Sequence, residues 1–278
     1  SFLLGAMVLG AVYPTNLSDF YTYLLLAIAA IGFVILFRAD VTMMHWLGDL
    51  PDTARRLGLM VLSIVAFTGL SFAFYQPYRG AYSQSYGTLD PWTASYTPVS
   101  SYLTHWGLFL FIIFAWITWE TREWMANTPL TSLSKLRPFA ILIELALAGI
   151  FFVLVYLAYK GIWIGWLALP LAAWAGILLL RPNLADEKRL VLFLIGTALA
   201  ITIVVELRTV RGDIGRMNTV FKFYMQSWIL FSVSAAAALG WMLNDISRWS
   251  AKWRNTMQVV LSILIFGATL FTFTATSD

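Results

Sequence analysis

The sequence predicts an all-α protein, a polytopic bundle of transmembrane helices. Hydrophobic residues make up 60% of the chain and charged residues only 12%, whereas soluble domains carry about 25% charged residues. The hydrophobic residues form continuous runs of about 20 residues, the length that crosses a hydrocarbon core about 30 Å thick. Because these runs do not alternate with polar residues, they indicate helices and not the strands of a barrel.

The apolar runs comprise a partial first run and about eight full spans. They cover 2–13 (partial), 20–37, 57–75, 105–119, 138–159, 161–180, 190–205, 223–243 and 257–274. The runs 105–119 and 190–205 are short, so we expect them to extend into their flanks. We interpret residues 1–278 as a single transmembrane domain. Since the first run starts at Ser1 without a charged leader, we expect this domain to be the C-terminal part of a longer chain.

Lysine and arginine concentrate in alternate loops, which predicts the orientation in the membrane. Four loops carry three basic residues each: 38–56, 120–137, 181–189 and 244–256. We assign these loops to the cytoplasm of a multi-pass protein in the bacterial plasma (inner) membrane. The segment 206–222 carries four basic residues, although it falls on the opposite, external side. If a span were miscounted, this segment would be cytoplasmic instead.

The external basic segment is the main candidate for a binding site. Its cations are Arg208, Arg211, Arg216 and Lys222. Guanidinium groups bind phosphate oxygens in a bidentate manner and a lysine adds a point charge. Asn218, Lys222 and Gln226 follow at helical spacing and form one polar stripe that descends into the membrane. These residues predict a phosphate or lipid-headgroup site; alternatively, Glu206 and Asp213 neutralise two cations and the others extend to headgroups.

Two further external segments carry weaker candidates. The loop 76–104 is rich in Tyr, Ser, Gly and Pro, and its Tyr78, Arg79 and Trp92 suit a substrate surface for sugar or lipid headgroups. The same residues equally suit a loop that lies on the membrane interface. Asp19 precedes the run 20–37 and either caps that helix or serves a catalytic or metal-binding role. Asp213 is the second weak catalytic candidate.

The composition excludes several classes of function. The chain contains no cysteine, which excludes disulfides and thiolate metal sites. A net charge of +4 is ordinary for a membrane protein and does not indicate nucleic acid. No spacing of histidines and carboxylates is typical of a metal site. No cofactor is indicated with certainty, and a divalent metal at Asp19 or Asp213 stays open.

Several motifs resemble a known family of membrane proteins. They are Thr15-Asn16-Leu17-Ser18-Asp19-Phe20, Gln76-Pro77-Tyr78, Thr97-Pro98 with His105-Trp106-Gly107-Leu108-Phe109, and Arg216-Met217-Asn218-Thr219-Val220-Phe221-Lys222-Phe223-Tyr224-Met225-Gln226-Ser227-Trp228. Together they resemble the uncharacterised "YYY" membrane proteins of Chloroflexi and archaea. That family is distantly similar to the C-type glycosyltransferases. The chain departs from its pattern at Ser18, where the family has Trp, and at Tyr78, where it has Phe.

The resemblance implies a function at the external face. C-type glycosyltransferases use polyprenyl-phosphate sugars there, so it implies transfer of a sugar to a lipid or protein acceptor. The catalytic acidic residue of those enzymes lies on a first external loop, which would precede Ser1. The expected partners are membrane lipids, a lipid-linked phosphate sugar and other membrane subunits. The alternative is a non-catalytic accessory or structural subunit of a larger membrane complex that contacts lipids or pigments.

Overall fold

The computed structural model describes residues 1–40, 50–82, 88–211 and 215–275. Nearly all of them lie in helices, which confirms the predicted all-α bundle. Contacts within the chain group into an N-terminal unit, Ser1–Gly87, and a C-terminal unit, Thr88–Asp278.

The described residues of the N-terminal unit form three long helices followed by one short helix. Its helices are α1 (Phe2–Thr15), α2 (Leu17–Phe37), α3 (Asp52–Ala73) and α4 (Gln76–Ala81). Its core contains Ala6, Leu9, Phe20, Leu24 and Phe67. α1 and α3 approach closely at Gly10, where an added Cβ would lie only 2.5 Å from the carbonyl oxygen of Ser71. A small residue at that point therefore allows the two backbones to meet.

The C-terminal unit contains the remaining helices and a two-stranded ribbon. Its elements are β1 (Leu89–Pro91), α5 (Val99–Ala126), a 3₁₀ helix (Leu130–Phe139), α6 (Ala140–Tyr159), α7 (Gly165–Leu179), α8 (Asp186–Leu207), β2 (Arg208–Val210), α9 (Gly215–Asp245), a second 3₁₀ helix (Ile246–Arg248) and α10 (Ala251–Ala275). α8 packs against α7 and α9, while α9 and α10 pack against α5. The interior is lined by large side chains such as Trp106, Trp116 and Phe231.

The described helices coincide with the predicted apolar runs, with two differences, at α7 and at α10. Six of them are long and apolar enough to cross a membrane: Leu17–Phe37, Asp52–Ala73, Val99–Ala126, Ser134–Tyr159, Asp186–Leu207 and Arg216–Arg248. α1 has 14 residues, as expected of a partial run. α7 has only 15 residues, and α10, with 25 residues, is not among the six. The short runs 105–119 and 190–205 extend into their flanks, as α5 and α8, as predicted.

α7 is shorter than its apolar run 161–180 because the first four residues of that run form the turn after α6. Gly161 has φ +79°, the left-handed conformation that favours glycine. Its N–H donates to Ala158 O at 2.9 Å and the N–H of Ile162 donates to Leu157 O at 2.8 Å, the two bonds of a Schellman motif. Residues 161–164 therefore form the turn, and α7 begins at Gly165.

The helices of the C-terminal unit have two distinct ends. The ribbon end is formed by β1, β2, the start of α5, the end of α8 and the start of α9. The basic end is formed by the ends of α5, α7 and α9 and the start of α8, where Glu120 pairs with Arg181 and Lys188. One uninterrupted helix, α8, joins loop 181–189 to segment 206–222, so these two basic segments lie at opposite ends.

Candidate functional site at the ribbon end

The ribbon end is held by an antiparallel pairing that the sequence did not indicate. Leu89, Asp90 and Pro91 pair with Val210, Thr209 and Arg208 respectively. The pairing continues on both sides, where Arg211 N–H donates to Thr88 O at 2.8 Å and Trp92 N–H donates to Leu207 O at 2.9 Å. The ribbon therefore ties the segment before α5 to the segment after α8.

One hydroxyl on α9 anchors the ribbon to the bundle. Thr219 is 1% exposed, and its Oγ1 accepts a hydrogen bond from Val210 N–H at 3.0 Å. The same oxygen lies 3.2 Å from Thr209 Oγ1. Because the buried Thr219 hydroxyl accepts the hydrogen bond of a backbone N–H in β2, it fixes the position of β2 relative to the first turns of α9.

A buried carboxylate forms the centre of this end. The side chain of Glu206 is fully buried at the last turn of α8 and forms an ion pair with Arg216 on α9. Thr97 donates to the same carboxylate twice, from its N–H to Oε2 at 3.0 Å and from Oγ1 to Oε1 at 2.6 Å. Glu206 therefore joins α8, α9 and the residue just before α5, and we call Glu206, Thr97 and Arg216 the carboxylate clamp.

The guanidinium of Arg216 is bound by the Glu206 carboxylate and by backbone carbonyl groups. Its Nε donates to Val205 O at 2.9 Å and its Nη1 donates to Ser95 O at 3.0 Å. Trp92 donates its indole N–H to the same Ser95 oxygen at 2.9 Å, and the Arg216 guanidinium lies 5.7 Å from the Trp92 ring centroid. Only 11% of the Arg216 side chain is exposed, and its charge is neutralised by Glu206. This agrees with the Glu206 half of the alternative given above, whereas the other half concerns Asp213, which lies outside the described residues.

Arg211 is also paired, but at the surface. Its Nη2 lies 2.9 Å from Asp90 Oδ1, and its Nε donates to both carboxylate oxygens. The hydrogen bond from Arg211 lowers the pKa of Asp90, against a smaller opposing effect of burial. The side chain of Arg211 is 68% exposed, so it can still reach a ligand in solvent.

The Asp90–Arg211 pair gives the ribbon a dependence on pH. The pKa of Asp90 is lower in the folded state than the ordinary aspartate pKa of about 4. The ion pair with Arg211 therefore stabilises the ribbon fully when the pH is above that ordinary value, and this stabilisation is lost as the pH falls through the folded-state pKa of Asp90. The chain has no cysteine, so a spin label at Leu89→Cys reports β1 alone. We expect its mobility to rise on acidification, and to be high and constant with pH when Asp90→Asn is added. Equal immobility of both labelled proteins at every pH would contradict this prediction.

Arg208 differs from the two paired arginines. It is exposed on β2, and its side chain forms no hydrogen bond, ion pair or ring contact within residues 1–40, 50–82, 88–211 and 215–275. Its backbone is nevertheless fixed by the ribbon, opposite Pro91. An exposed guanidinium on a fixed backbone can form charge-assisted hydrogen bonds to an anion that comes from outside the chain.

The start of α9 presents a mixed surface beside these cations. Asn218 and Lys222 are half-buried and Gln226 is fully buried, so the predicted polar stripe runs from the surface into the bundle. Apolar side chains are exposed next to the stripe; Met217, Phe221, Met225 and Trp228 are 73%, 64%, 52% and 50% exposed. Their spacing places them on one face of the helix.

The remaining candidates belong to the N-terminal unit or lie outside the described residues. Asn16 caps α2, since its Oδ1 accepts from Ser18 N–H at 3.3 Å, and Asp19 lies in the first turn, where the helix dipole favours a carboxylate. Arg79 lies 4.3 Å from the Phe72 ring centroid, and Tyr78 stacks on Tyr82. Asp213 falls in 212–214, outside the described residues.

No metal centre is formed by the described residues. Within the ranges given above, no group of three or more His, Asp or Glu side chains is close enough to hold an ion. The two described carboxylates of the ribbon end, Glu206 and Asp90, are each bound by an arginine. The sequence had no signal for the Asp90–Arg211 pair, because its members lie 121 residues apart.

The fold and this site define a polytopic helical membrane protein with cations held at one end of its bundle. The chain belongs to the family described as "Uncharacterized membrane protein (DUF2298)", whose model matches residues 1–231. This match confirms the coarser part of the predicted resemblance, membership of an uncharacterised membrane-protein family. Comparison with curated proteins gave no match, and comparison with solved structures gave none either.

Proposed function

We propose that this protein binds a polyprenyl-phosphate-linked sugar at the ribbon end, as a glycosyltransferase-like membrane protein. The observation that carries the proposal is Arg208, an exposed guanidinium without a side-chain partner among the described residues, on a backbone that two strands and α9 hold in place. A phosphate offers Arg208 the bidentate pairing that a carboxylate gives Arg211 and Arg216.

The basic residues then divide into two roles. Arg208 binds the phosphate directly, with Arg211 and Lys222 contributing charge at the rim. Arg216 is committed to Glu206, Val205 and Ser95 and keeps the ribbon in register. The carboxylate clamp is thus what positions the binding cation, because β2 begins two residues after Glu206.

The exposed face of α9 suits the hydrocarbon part of the ligand. Met217, Phe221, Met225 and Trp228 form an apolar strip that starts beside Asn218 and Lys222 and continues along the helix. A polyprenyl chain is long, branched and apolar, and thioether and aromatic side chains adapt to such irregular shapes. The polar head at the ribbon and the tail along α9 match the two parts of a lipid-linked phosphate.

The proposed chemistry is glycosyl transfer with phosphate as the leaving group. An acceptor hydroxyl attacks the anomeric carbon, the bond from that carbon to the phosphate oxygen breaks, and the phosphate retains the electron pair. Arg208 stabilises the charge that develops on the phosphate. The hydroxyl proton passes to a carboxylate, for which Asp19 and Asp213 are the candidates that the sequence offers.

The ribbon end is proposed to face the outside of the membrane. Arg122, Arg181, Lys188 and Arg248 lie at the basic end, which we assign to the cytoplasm because basic loop residues are retained there. One clear test is chemical labelling of a single cysteine at position 208 in intact cells. Labelling from outside supports the orientation, and labelling only after permeabilisation contradicts it.

Binding is tested by replacing Arg208 with glutamine. We expect Arg208→Gln to raise the apparent Kd for a polyprenyl phosphate about tenfold, which is ~1.4 kcal/mol, the effect of losing one charge-assisted hydrogen-bond pair. Native mass spectrometry of the purified protein in detergent measures the bound fraction. Lys160→Gln is the matched control, because Lys160 is an exposed cation in the turn after α6 whose ammonium only approaches the Tyr156 ring.

Two outcomes would contradict the proposal. The first is an equal loss of affinity in the Arg208 and Lys160 variants, which would show that binding depends on the overall positive charge and not on Arg208 in particular. The second is purification with a stoichiometric protein partner and no affinity for any lipid phosphate, which would favour the accessory subunit. Transfer is assayed separately with a radiolabelled lipid-linked sugar, and Arg208→Gln is expected to lower the rate while leaving the fold intact.

A further inference from the structure

The basic end of the C-terminal unit contains a cavity that the ribbon end does not explain. It lies between α5 and α10 and has a volume of about 410 Å³, within the range of small-molecule pockets. Its walls are largely apolar and aromatic, with Phe111, Phe114, Trp119, Trp249, Trp253 and Met257 among the lining residues. Such a lining accepts a hydrocarbon chain and offers few partners to a polar ligand.

One cation stands at the cavity and has no counter-charge in the described part of the chain. Arg122 lines the cavity, is exposed, and its only described side-chain contact is with the Trp119 ring, 5.2 Å from the guanidinium carbon to the centroid. Arg248 approaches the same ring at 5.9 Å, but it is paired with Glu123 and Asp245. The two arginines therefore differ in charge balance, and of this pair it is Arg122 that has no carboxylate partner among the described residues.

A second, more open groove adjoins the cavity at Arg122. It is lined by Thr118, Thr121, Arg122, Met125 and Trp174. Arg122 and Thr118 line both depressions. One guanidinium between two mostly apolar grooves matches a ligand with one anionic head and two hydrocarbon chains.

We propose that the basic end binds an anionic glycerophospholipid, with its phosphate on Arg122, one acyl chain in the cavity between α5 and α10 and the other in the groove beside Trp174. The membrane itself supplies such a lipid, because anionic lipids attract the basic segments of the cytoplasmic side. Thr118 lies between the two grooves, and its hydroxyl donates a hydrogen bond to Phe114 O at 2.7 Å. Because this hydroxyl is already bonded within α5, it does not make the surface under the acyl chains more polar. This site is independent of the ribbon end and of the activity proposed there.

The test uses delipidated, purified protein and native mass spectrometry with two lipids that differ in charge. Phosphatidylglycerol and phosphatidylcholine of equal chain length are titrated separately. We expect phosphatidylglycerol to bind the wild type at least about tenfold more tightly, and Arg122→Gln to remove that preference. Arg137→Gln is the matched control, since Arg137 is an exposed cation in the 3₁₀ helix after α5 that lines neither groove.

A second variant tests the hydrocarbon part. Ala115 lines the cavity, so the larger side chain of Ala115→Leu fills space that the acyl chain would occupy. We expect this variant to raise the apparent Kd for phosphatidylglycerol about fourfold, which corresponds to one methylene group of the lipid left unburied. Equal binding of the two lipids by the wild type, or an unchanged preference in Arg122→Gln, overturns the proposal. Displacement of the bound lipid by millimolar inorganic phosphate also overturns it, because the site would then recognise the anion without the chains.

Discussion

Glu206→Gln is expected to lower the free energy of unfolding by about 3–5 kcal/mol, the cost of leaving a buried charge without its partner. Glutamine keeps the shape and can still accept from Thr97 N–H. It removes the negative charge that faces Arg216, whose side chain is only 11% exposed. Since Arg216 keeps its bonds to Val205 O and Ser95 O, we expect the lower part of that range. Steric trapping or denaturant unfolding in bicelles measures the difference.

A surface pair provides the control for this experiment. Glu123 pairs with Arg248 at 2.9 Å, with 26% and 58% of the two side chains exposed. Exposed pairs contribute about 0–1 kcal/mol, so Glu123→Gln should have little effect. The double variant Glu206→Gln with Arg216→Met should be less destabilised than the sum of its single variants, because the uncompensated charge is gone. Equal costs for Glu206→Gln and Glu123→Gln would contradict the clamp.

The helices could be predicted because lipid leaves the backbone few alternatives. An apolar run about 20 residues long must satisfy its own hydrogen bonds, so length and continuity alone indicated the bundle. The ends were harder, because the polar ends of α5 carry no hydrophobic signal. Residues 99–104 and 120–126 continue the helix beyond the run 105–119, since Pro98 can start it and Asn127 ends it.

The candidate site was predictable only where its members are close in sequence. Glu206 and Arg216 lie 10 residues apart around one reversal of the chain, so pairing was a natural alternative for these residues. Thr97 and Asp90 lie 109 and 121 residues from their partners. Those contacts depend on how the start of α5 aligns with the end of α8, which no local pattern specifies.

The distinction among the four basic residues was likewise beyond the sequence. Arg208, Arg211 and Arg216 are equivalent as residue types, and only Arg216 belongs to a motif that carries the resemblance. Burial separates them, since Arg216 is enclosed in the clamp and Arg211 is a surface partner of Asp90. Arg208 alone of these three arginines keeps an uncommitted side chain in the described structure. Phosphate binding by Arg208 stays a prediction.

The second buried carboxylate, Glu120, is expected to show a comparable loss at the opposite end. Its side chain is 7% exposed and lies between Arg181 Nη1, at 3.3 Å, and Lys188 Nζ. Glu120→Gln would leave two cations facing each other, with 19% and 27% of their side chains exposed. We expect unfolding to become easier by about 3–5 kcal/mol, measured as for Glu206.

The variants around Glu120 separate charge balance from packing. Lys188→Met in the Glu120→Gln background should recover part of the loss, because the repulsion ends and Arg181 keeps its bond to Glu120 O at 3.4 Å. Glu187 is an exposed carboxylate next to Lys188 in the sequence. Glu187→Gln should lower the free energy of unfolding by less than about 0.5 kcal/mol. Arg181 and Lys188 belong to a loop whose charges predict only orientation. A large effect of Glu120→Gln would show that Arg181 and Lys188 also join α7 and α8 to α5. An effect no larger than that of Glu187→Gln would mean that these two cations serve only to orient the protein in the membrane.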